Sequence, residues 1–175
     1  MNVLLIGGGG REHALAAKIA ENKKVSALHA LPGNAGIAEV AKCHPIAATD
    51  IPGIVRFASE HKIDFAVVAP DDPLALGAVD ALNELGIRCF GPRKSAAVIE
   101  SSKIFAKNLM KKYNIPTAAF EAFDSEAEAL SYLSGCAFPQ VVKADGLALG
   151  KGVEIAQNFE EAQKAVHRMM AEGAF

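Results

Sequence analysis

The sequence has no tryptophan, only three cysteines and no long apolar stretch. The three cysteines, Cys43, Cys89 and Cys136, are odd in number and far apart in the sequence. This spacing is typical neither of a disulfide framework nor of a zinc finger. Free buried thiols in a reducing compartment are therefore expected. No apolar run is long enough to cross a bilayer. The first one, residues 3–6, is also too short for a signal peptide. These absences predict a cytoplasmic protein with no membrane partner.

An excess of one charge is also missing. The chain has 18 Lys and Arg against 20 Asp and Glu, a net charge of −2. No broad basic surface is therefore indicated, and no nucleic-acid partner is expected. With 175 residues, of which 51% are hydrophobic, the chain can bury a substantial core, which argues against a disordered protein.

Short apolar runs alternate with helical patterns over the first ninety or so residues. Strands are predicted at residues 3–6, 25–30, 65–68 and 87–90, and helices at residues 11–21, 51–61 and 74–85. Asp50 and Pro52 are suited to begin the second of these helices. This alternation predicts an α/β fold with a doubly wound parallel sheet.

The pattern changes further along the chain. Two helical stretches are predicted within residues 94–113, then a strand at 117–123, a helix at 125–133, strands at 139–143 and 152–156, and a helix at 159–170. This order predicts a second, smaller unit of mixed α+β type that begins near residue 115.

Four consecutive glycines, residues 7–10, separate the first strand from the first helix. They let a ligand approach the backbone, the helix N-terminus favours an anion, and Arg11 adds donors suited to phosphate. A dinucleotide loop would need a third small residue where Glu12 or His13 stands, so NAD is disfavoured. The alternatives are a plain glycine turn and, for His13, a structural role.

Two acids, Asp71 and Asp72, follow the strand at residues 65–68. Ligands of open α/β sheets lie at the carboxyl ends of strands, where these acids can accept hydrogen bonds from ribose hydroxyls or an amine. The alternative is that Asp72 only caps the helix that begins at Leu74.

A glycine-rich loop connects the strands at 139–143 and 152–156. Lys143 ends a strand predicted to be buried, so an anionic partner is expected, and the loop after it can fold over phosphates. It lacks the spacing and the hydroxyl of a P-loop, and the alternative is a hairpin tip with solvated lysines. Lys103, near the start of a helix, either contacts nucleotide or is surface charge.

Six motifs together resemble the phosphoribosylamine–glycine ligase family of the ATP-grasp superfamily, in order along the chain. They are Gly-Gly-Arg-Glu-His-Ala at 9–14, Pro-Gly-Asn at 32–34, Phe-Gly-Pro at 90–92, Glu-Ser-Ser-Lys at 100–103, Ile-Pro-Thr-Ala at 115–118 and Val-Val-Lys-Ala-Asp-Gly-Leu-Ala-Leu-Gly-Lys-Gly-Val at 141–153. The chain departs from the family at Ala69-Pro70-Asp71, where Gly-Pro-Glu is usual, and at Arg93, where Ser or Thr is usual.

The resemblance implies a Rossmann-like pre-ATP-grasp domain over residues 1–102 and an incomplete ATP-grasp domain, with linker helix and lid subdomain, over residues 103–175. It implies a purine-biosynthesis ligase in which ATP phosphorylates glycine and the amine of 5-phosphoribosylamine attacks the glycyl phosphate, giving glycinamide ribonucleotide, ADP and phosphate. Another ATP-grasp ligase and a non-catalytic phosphate- or nucleotide-binding module are the alternatives.

The resemblance also implies site residues. For the phosphoribosyl substrate they are Gly8, Gly9, Gly10, Arg11, Glu12, His13, Pro32, Gly33, Asn34, Asp71 and Asp72. For ATP they are Lys103, Lys143, Asp145, Gly146, Gly150, Lys151 and Gly152. The Mg²⁺ or Mn²⁺ ligands are expected beyond residue 175, and no catalytic residue is assigned. The chain is expected to be the N-terminal part of a monomeric enzyme and to be inactive alone.

Overall fold

The computed structural model describes residues 1–148 and 152–172. The chain divides into two compact units, Met1–Val98 and Ile99–Phe175. The domain boundary that the resemblance implies, between residues 102 and 103, stays a prediction.

The first unit is built on a five-stranded sheet with the order β3-β2-β1-β4-β5. Its strands are β1 (Asn2–Gly7), β2 (Ala27–Pro32), β3 (Lys42–Cys43), β4 (Phe65–Val68) and β5 (Arg88–Phe90). Every neighbouring pair is parallel, and β1 has Leu4 opposite His29 of β2 and Ala66 of β4. The predicted parallel α/β fold is thus confirmed.

Helices cover both faces of this sheet. They are α1 (Gly10–Ala20), α2 (Ile51–Glu60), α3 (Asp71–Leu76), α4 (Ala78–Glu84) and α5 (Lys94–Ser101), with a 3₁₀ turn at Ile37–Glu39. Because side chains alternate along a strand, Leu4 and Ile6 pack in one core with residues of α2 and α4, while Val3 and Leu5 pack in the other with α1 and the 3₁₀ turn. Burial on both faces explains why β1 is a continuous apolar run.

The ends of two helices test the sequence predictions. Asp50 caps α2 as predicted, since its Oδ1 accepts from the Gly53 amide at 3.0 Å. The single helix predicted at 74–85 is wrong: it is divided into α3 and α4 by Gly77, whose φ of +91° is left-handed. A side chain there would be strained, and the glycine lets the chain turn.

The second unit contains α6 (Lys103–Lys112), α7 (Glu126–Leu133), β6 (Gln140–Lys143), β7 (Val153–Ala156) and α8 (Phe159–Met170). The two strands form an antiparallel pair with Val142 opposite Glu154. A small core joins α7, β7 and α8 through Leu133, Ala156 and Val166. Ser125 and Asn158 cap α7 and α8.

The strand predicted at residues 117–123 is wrong, because this segment has no strand pairing. Instead the ammonium of Lys107 donates to Thr117 Oγ1 at 2.6 Å and to the Ala118 carbonyl at 2.9 Å, and it lies 5.5 Å from the Phe120 ring centroid. A side chain of α6 thus takes the backbone acceptor that a neighbouring strand would have used.

All three cysteines are free thiols, half-buried rather than fully buried. Burial raises the pKa of the Cys89 thiol to about 11, so the reactive thiolate is scarce at neutral pH. Within residues 1–148 and 152–172, every helix is too short or too polar to cross a bilayer.

Candidate functional site

The glycine loop joins β1 to α1 at the carboxyl edge of the sheet. Gly7 has a φ of +126°, and a Cβ on Gly8 would lie 2.6 Å from the Gly33 carbonyl oxygen. A Cβ on Gly10, by contrast, would meet nothing within 4 Å. Gly7 and Gly8 are therefore required by the fold, whereas Gly10 begins α1 beside open space.

Glu12 is buried at the junction of α1 and the sheet, with only 4% of its surface exposed. Its Oε2 accepts from the Gly9 amide at 2.6 Å, and its other oxygen, Oε1, has no protein donor. A Cβ on Gly7 would lie 2.5 Å from Glu12 Cγ and 2.8 Å from Pro70 Cγ. The missing side chain of Gly7 thus makes room for the carboxylate, which shows how a large residue fits where a dinucleotide loop has a small one.

This contact changes which amides can meet an anion. The Gly9 amide donates to Glu12, so it is not available to a ligand in this conformation. The first-turn amides of Gly10 and Arg11 have no intrahelical acceptor, as in any α-helix. Arg11 is exposed at the same helix end, so backbone donors and a guanidinium are brought together there.

Asn34 connects the loop after β2 to the glycine loop. Its Nδ2 donates to the Gly8 carbonyl at 2.8 Å, and its Oδ1 accepts from the Ile37 amide at 2.8 Å. The Gly33 amide donates to the Gly7 carbonyl at 3.1 Å. Gly33 and Asn34, predicted as ligand contacts, therefore hold the glycine loop in place through hydrogen bonds to its backbone.

His13 and Pro32 occupy the rim of the same region and are both exposed. The His13 imidazole lies so close to Gly36 that a Cβ there would collide with the ring. The ring is thus in a structural contact, the alternative left open by the sequence.

Asp71 and Asp72 lie in the first turn of α3, which begins after Pro70. The prediction that Asp72 caps a helix starting at Leu74 is wrong, because the helix starts earlier and places both acids inside it. Both side chains are half-buried and close in sequence to Pro70, which lies beside Glu12. The loops after β1 and β4 thus meet where strand order reverses, the place where open α/β sheets bind ligands.

In the second unit, the start of α6 holds the beginning of the glycine-rich loop. Asp145 Oδ1 accepts from the Ile104 amide at 3.1 Å, Ser102 Oγ donates to Asp145 Oδ2 at 3.0 Å, and Lys103 Nζ donates to the Gly146 carbonyl at 2.7 Å. Burial opposes ionisation of Asp145, but the hydrogen bonds from Ile104, Ser102 and the neighbouring backbone outweigh it and lower its pKa. Three predicted ATP contacts are thus brought together.

Lys143 does not have the environment expected from the sequence. It is exposed at the end of β6, whose residues alternate between half-buried and exposed, so the predicted buried lysine is wrong. The Ala144 amide donates to the Gly152 carbonyl at 2.9 Å and closes the base of the loop. The predicted contacts Gly150 and Lys151 lie outside the described residues.

The chain path of both units occurs in two enzymes of low sequence identity. The N5-carboxyaminoimidazole ribonucleotide synthetase of Thermus thermophilus superposes with a TM-score of 0.68 at 20% identity, over 95% of this chain and 43% of that one. The biotin carboxylase domain of Hydrogenobacter thermophilus 2-oxoglutarate carboxylase gives 0.74 at 18%, over 95% and 41%. At these identities the likeness is one of fold alone.

Family models define the class of protein as the ATP-grasp enzymes. Residues 1–100 match the phosphoribosylglycinamide synthetase N domain, and residues 101–175 match the ATP-grasp (A) domain of the same synthetase. The chain belongs to the phosphoribosylglycinamide synthetase family, also named phosphoribosylamine–glycine ligase, as its motifs indicated.

Individual relatives agree with this assignment. The phosphoribosylamine–glycine ligase of Caldanaerobacter subterraneus is 47% identical over all of this chain and 42% of its own length, and that of Halalkalibacterium halodurans 49% over 41% of its own length. The crystal structure of the Thermotoga maritima ligase has a TM-score of 0.77 at 33% identity, over 98% of this chain and 40% of that one. The chain thus spans about two fifths of the length of these ligases.

Proposed function

We propose that this chain supplies the phosphoribosyl-binding unit and part of the ATP-binding unit of a phosphoribosylamine–glycine ligase. The reaction joins the carboxylate of glycine to the amine of 5-phosphoribosylamine, with ATP converted to ADP and phosphate by way of glycyl phosphate. The observation that carries the proposal is the match of both family domains, in order, to the two parts of the chain.

In the first unit, we propose that the substrate's phosphate binds at the start of α1. The supporting features are the open space beside Gly10, the first-turn amides and the exposed Arg11. Gly8, Gly9, Glu12, Pro32, Gly33 and Asn34 hold the loops in place around this position. Asp71 and Asp72, across the reversal of strand order, are suited to accept from the hydroxyls or the amine of the sugar.

In the second unit, we propose that the glycine-rich loop and Lys143 meet the phosphates of ATP. Lys103 and Asp145 act through the loop, because their hydrogen bonds position its start. Lys143 supplies an exposed ammonium beside the base of the loop. Gly146 has a φ of +99°, with nothing within 4 Å of a Cβ built on it, which leaves space beside the backbone. Gly150, Lys151 and Gly152 complete the proposed set.

A magnesium or manganese ion belongs to the proposed chemistry, since a divalent cation neutralises charge on transferring phosphates. Within the described residues, no cluster of three or more His, Cys, Asp and Glu is arranged to hold a metal ion. The described residues therefore do not fit the ion. We also propose a monomeric, cytoplasmic enzyme whose turnover requires the full length of the family.

The direct test measures ADP release by the full-length protein with glycine and 5-phosphoribosylamine, and separately with bicarbonate as the acceptor. Release that depends on glycine and the amine supports the proposal, whereas release that depends on bicarbonate refutes it. The site is tested on the 175-residue chain by titration with ribose 5-phosphate. We expect Arg11→Ala to weaken binding by roughly 1.5–3 kcal/mol and Arg56→Ala, an exposed arginine on α2, to leave it unchanged.

A further inference from the structure

Three of the five histidines meet around Phe57 in the first unit. His29 lies on β2 and is only 7% exposed, His44 follows β3, and His61 follows α2. His29 Nδ1 lies 3.1 Å from His44 Nε2. The His61 ring stacks on Phe57 with centroids 3.9 Å apart, and the three imidazole centroids lie 5.3 to 5.7 Å from one another.

The groups that act on these rings are all cationic or neutral. Lys42 of β3 and Leu4 of β1 are the register partners of His29. The ring of His29 also contacts Phe57 of α2 and His61, which follows α2. Burial lowers the pKa of His29, and the charges of His44, His61 and Lys42 lower it further. Burial, His61 and Lys42 likewise lower the pKa of His44. No carboxylate is among the groups that shift the pKa of His29 or of His44 in the described part of the chain.

The hydrogen bond between His29 and His44 can form only when at least one of the two rings is neutral. A hydrogen bond between two imidazoles needs one nitrogen that donates and one that accepts, so at least one ring must be neutral. When both rings are charged, the hydrogen bond is lost and two cations face each other across 3.1 Å. The described residues do not form a metal site, so a proton is the ligand this cluster can take.

The cluster is connected to the glycine loop through the backbone. The His44 amide donates to the Ala30 carbonyl at 3.0 Å and fixes the segment after β3 to β2. The preceding residue, Cys43, packs against Gly33 and donates a weak hydrogen bond to the Asn34 carbonyl at 3.7 Å. A disturbance at His44 therefore reaches the two residues that brace the glycine loop.

We propose that the His29–His44–His61 cluster makes the first unit responsive to protons: charging the cluster loosens the edge formed by β2 and β3, and with it the loop at Gly33 and Asn34. The responsive range follows from linkage. The imidazoles of His29 and His44 titrate near pH 6.5 in the unfolded chain and have a lower pKa in the folded one, so below about pH 6.5 the unfolded state binds more protons and stability falls. Above that pH the His29–His44 pair is neutral and contributes its full stability.

The test is amide hydrogen exchange of the 175-residue chain by NMR between about pH 5.5 and 7.5, corrected for the intrinsic pH dependence of exchange. Both tyrosines, Tyr113 and Tyr132, belong to the second unit, and the chain has no tryptophan, so fluorescence would not report on the first unit. The informative amides are Gly33 and Ile37, whose hydrogen bonds hold the brace, with the amides of β1 as the reference for global unfolding.

We expect the opening of Gly33 and Ile37 to increase at least about threefold towards pH 5.5, more than that of β1, since each pKa unit between folded and unfolded states is worth about tenfold. His44→Gln keeps a hydrogen-bonding group but cannot be charged, and we expect it to reduce the increase without abolishing it, because the burial of His29 remains. His61→Gln, at an exposed position, is the second variant and reduces the increase in part. His167→Gln, an exposed histidine of the second unit, retains the wild-type response.

The titration of the ring signals gives an independent check. In the His44→Gln variant, the midpoint of His29 moves to higher pH, because one repelling cation is removed. An opening of Gly33 that does not change with pH, an equal change in the β1 amides, or a full response in the His44→Gln variant would each overturn the proposal.

Discussion

The ammonium of Lys103 donates a hydrogen bond to the carbonyl oxygen of Gly146, 2.7 Å away, although 43 positions separate the two residues. The first residue of α6 and the first glycine of the loop after β6 are thereby fixed together. Replacing Lys103 by Met keeps much of the apolar stem and removes the donor. We expect faster amide exchange at residues 145–148 and an ATP affinity lowered by roughly 1–2 kcal/mol, measured by calorimetry. Lys111→Met, on the last turn of the same helix, is the control and leaves both unchanged.

Asp145 also connects the start of α6 to the loop after β6. Because its folded pKa is lowered, its contribution to stability is present above its unfolded pKa of 3.8 and is lost as pH falls below that value. We expect Asp145→Asn to destabilise the second unit by about 0.5–1 kcal/mol at pH 7, since an exposed cap is screened by solvent. The difference between the two proteins in chemical denaturation narrows as the pH falls below 3.8 towards the lowered folded pKa. A difference that does not narrow contradicts an ionised cap.

Gly7 and Gly10 make a matched pair within one loop. Gly7→Ala adds a Cβ 2.5 Å from Glu12 Cγ at a φ of +126°, and we expect a loss of at least about 2 kcal/mol in unfolding free energy. Gly10→Ala adds the same atom in open space at the start of α1, so stability stays within about 0.5 kcal/mol. Equal effects of the two substitutions would show that the close approach of Glu12 to Gly7 does not matter.

Asn34 uses both ends of its side chain to hold the loops together. Asn34→Ala removes the hydrogen bond to Gly8 and the one from Ile37, and we expect a cost of about 1–3 kcal/mol together with weaker binding of ribose 5-phosphate. Asn34→Asp keeps the acceptor for Ile37 but places a carboxylate oxygen against the Gly8 carbonyl, so we expect it to destabilise the loop as well. Asn22→Ala, at an exposed turn, is the control for a lost asparagine.

Glu12 tests whether burial or charge is required at the helix start. Glu12→Gln keeps the volume and an oxygen for the Gly9 amide, whereas Glu12→Ala removes the buried side chain and leaves that amide without its protein partner. We expect the alanine variant to lose about 1–3 kcal/mol of stability and the glutamine variant less. The test is thermal unfolding of the two Glu12 variants, with Glu21→Ala at the exposed C-terminal end of α1 as the control. Equal losses in both variants would show that the charge itself is needed.

Features that depend on neighbouring residues could be predicted from the sequence. The apolar run of β1 followed by glycines, the cap at Asp50 and the helix α8 all follow from local spacing and propensity. The break at Gly77 could not be predicted, because a glycine within a helical pattern is compatible with a continuous helix. Only its φ of +91° in the structure shows that α3 ends there. The pattern at residues 117–123 suits a strand, but Lys107 of α6 takes its acceptor.

The parts of the candidate site that escaped prediction depend on distant residues. The contacts of Asn34 with Gly8 and of Lys103 with Gly146 span 26 and 43 positions and have no local signature. The burial of Glu12 could have been suspected, because Gly7 removes a side chain where Glu12 must pack. The histidine cluster has no such signal: His29, His44 and His61 come from three elements that only the sheet order brings together.

The central position of β1 also governs when the first unit can form. Translation produces β1 first, yet its neighbours are β2, at residues 27–32, and β4, at residues 65–68. One edge of β1 can pair once β2 has been made, but the other edge stays unpaired until about sixty residues have been added after β1, a period in which an exposed strand edge is prone to aggregation. The most buried part of the first unit is thus the part that a nascent chain exposes longest.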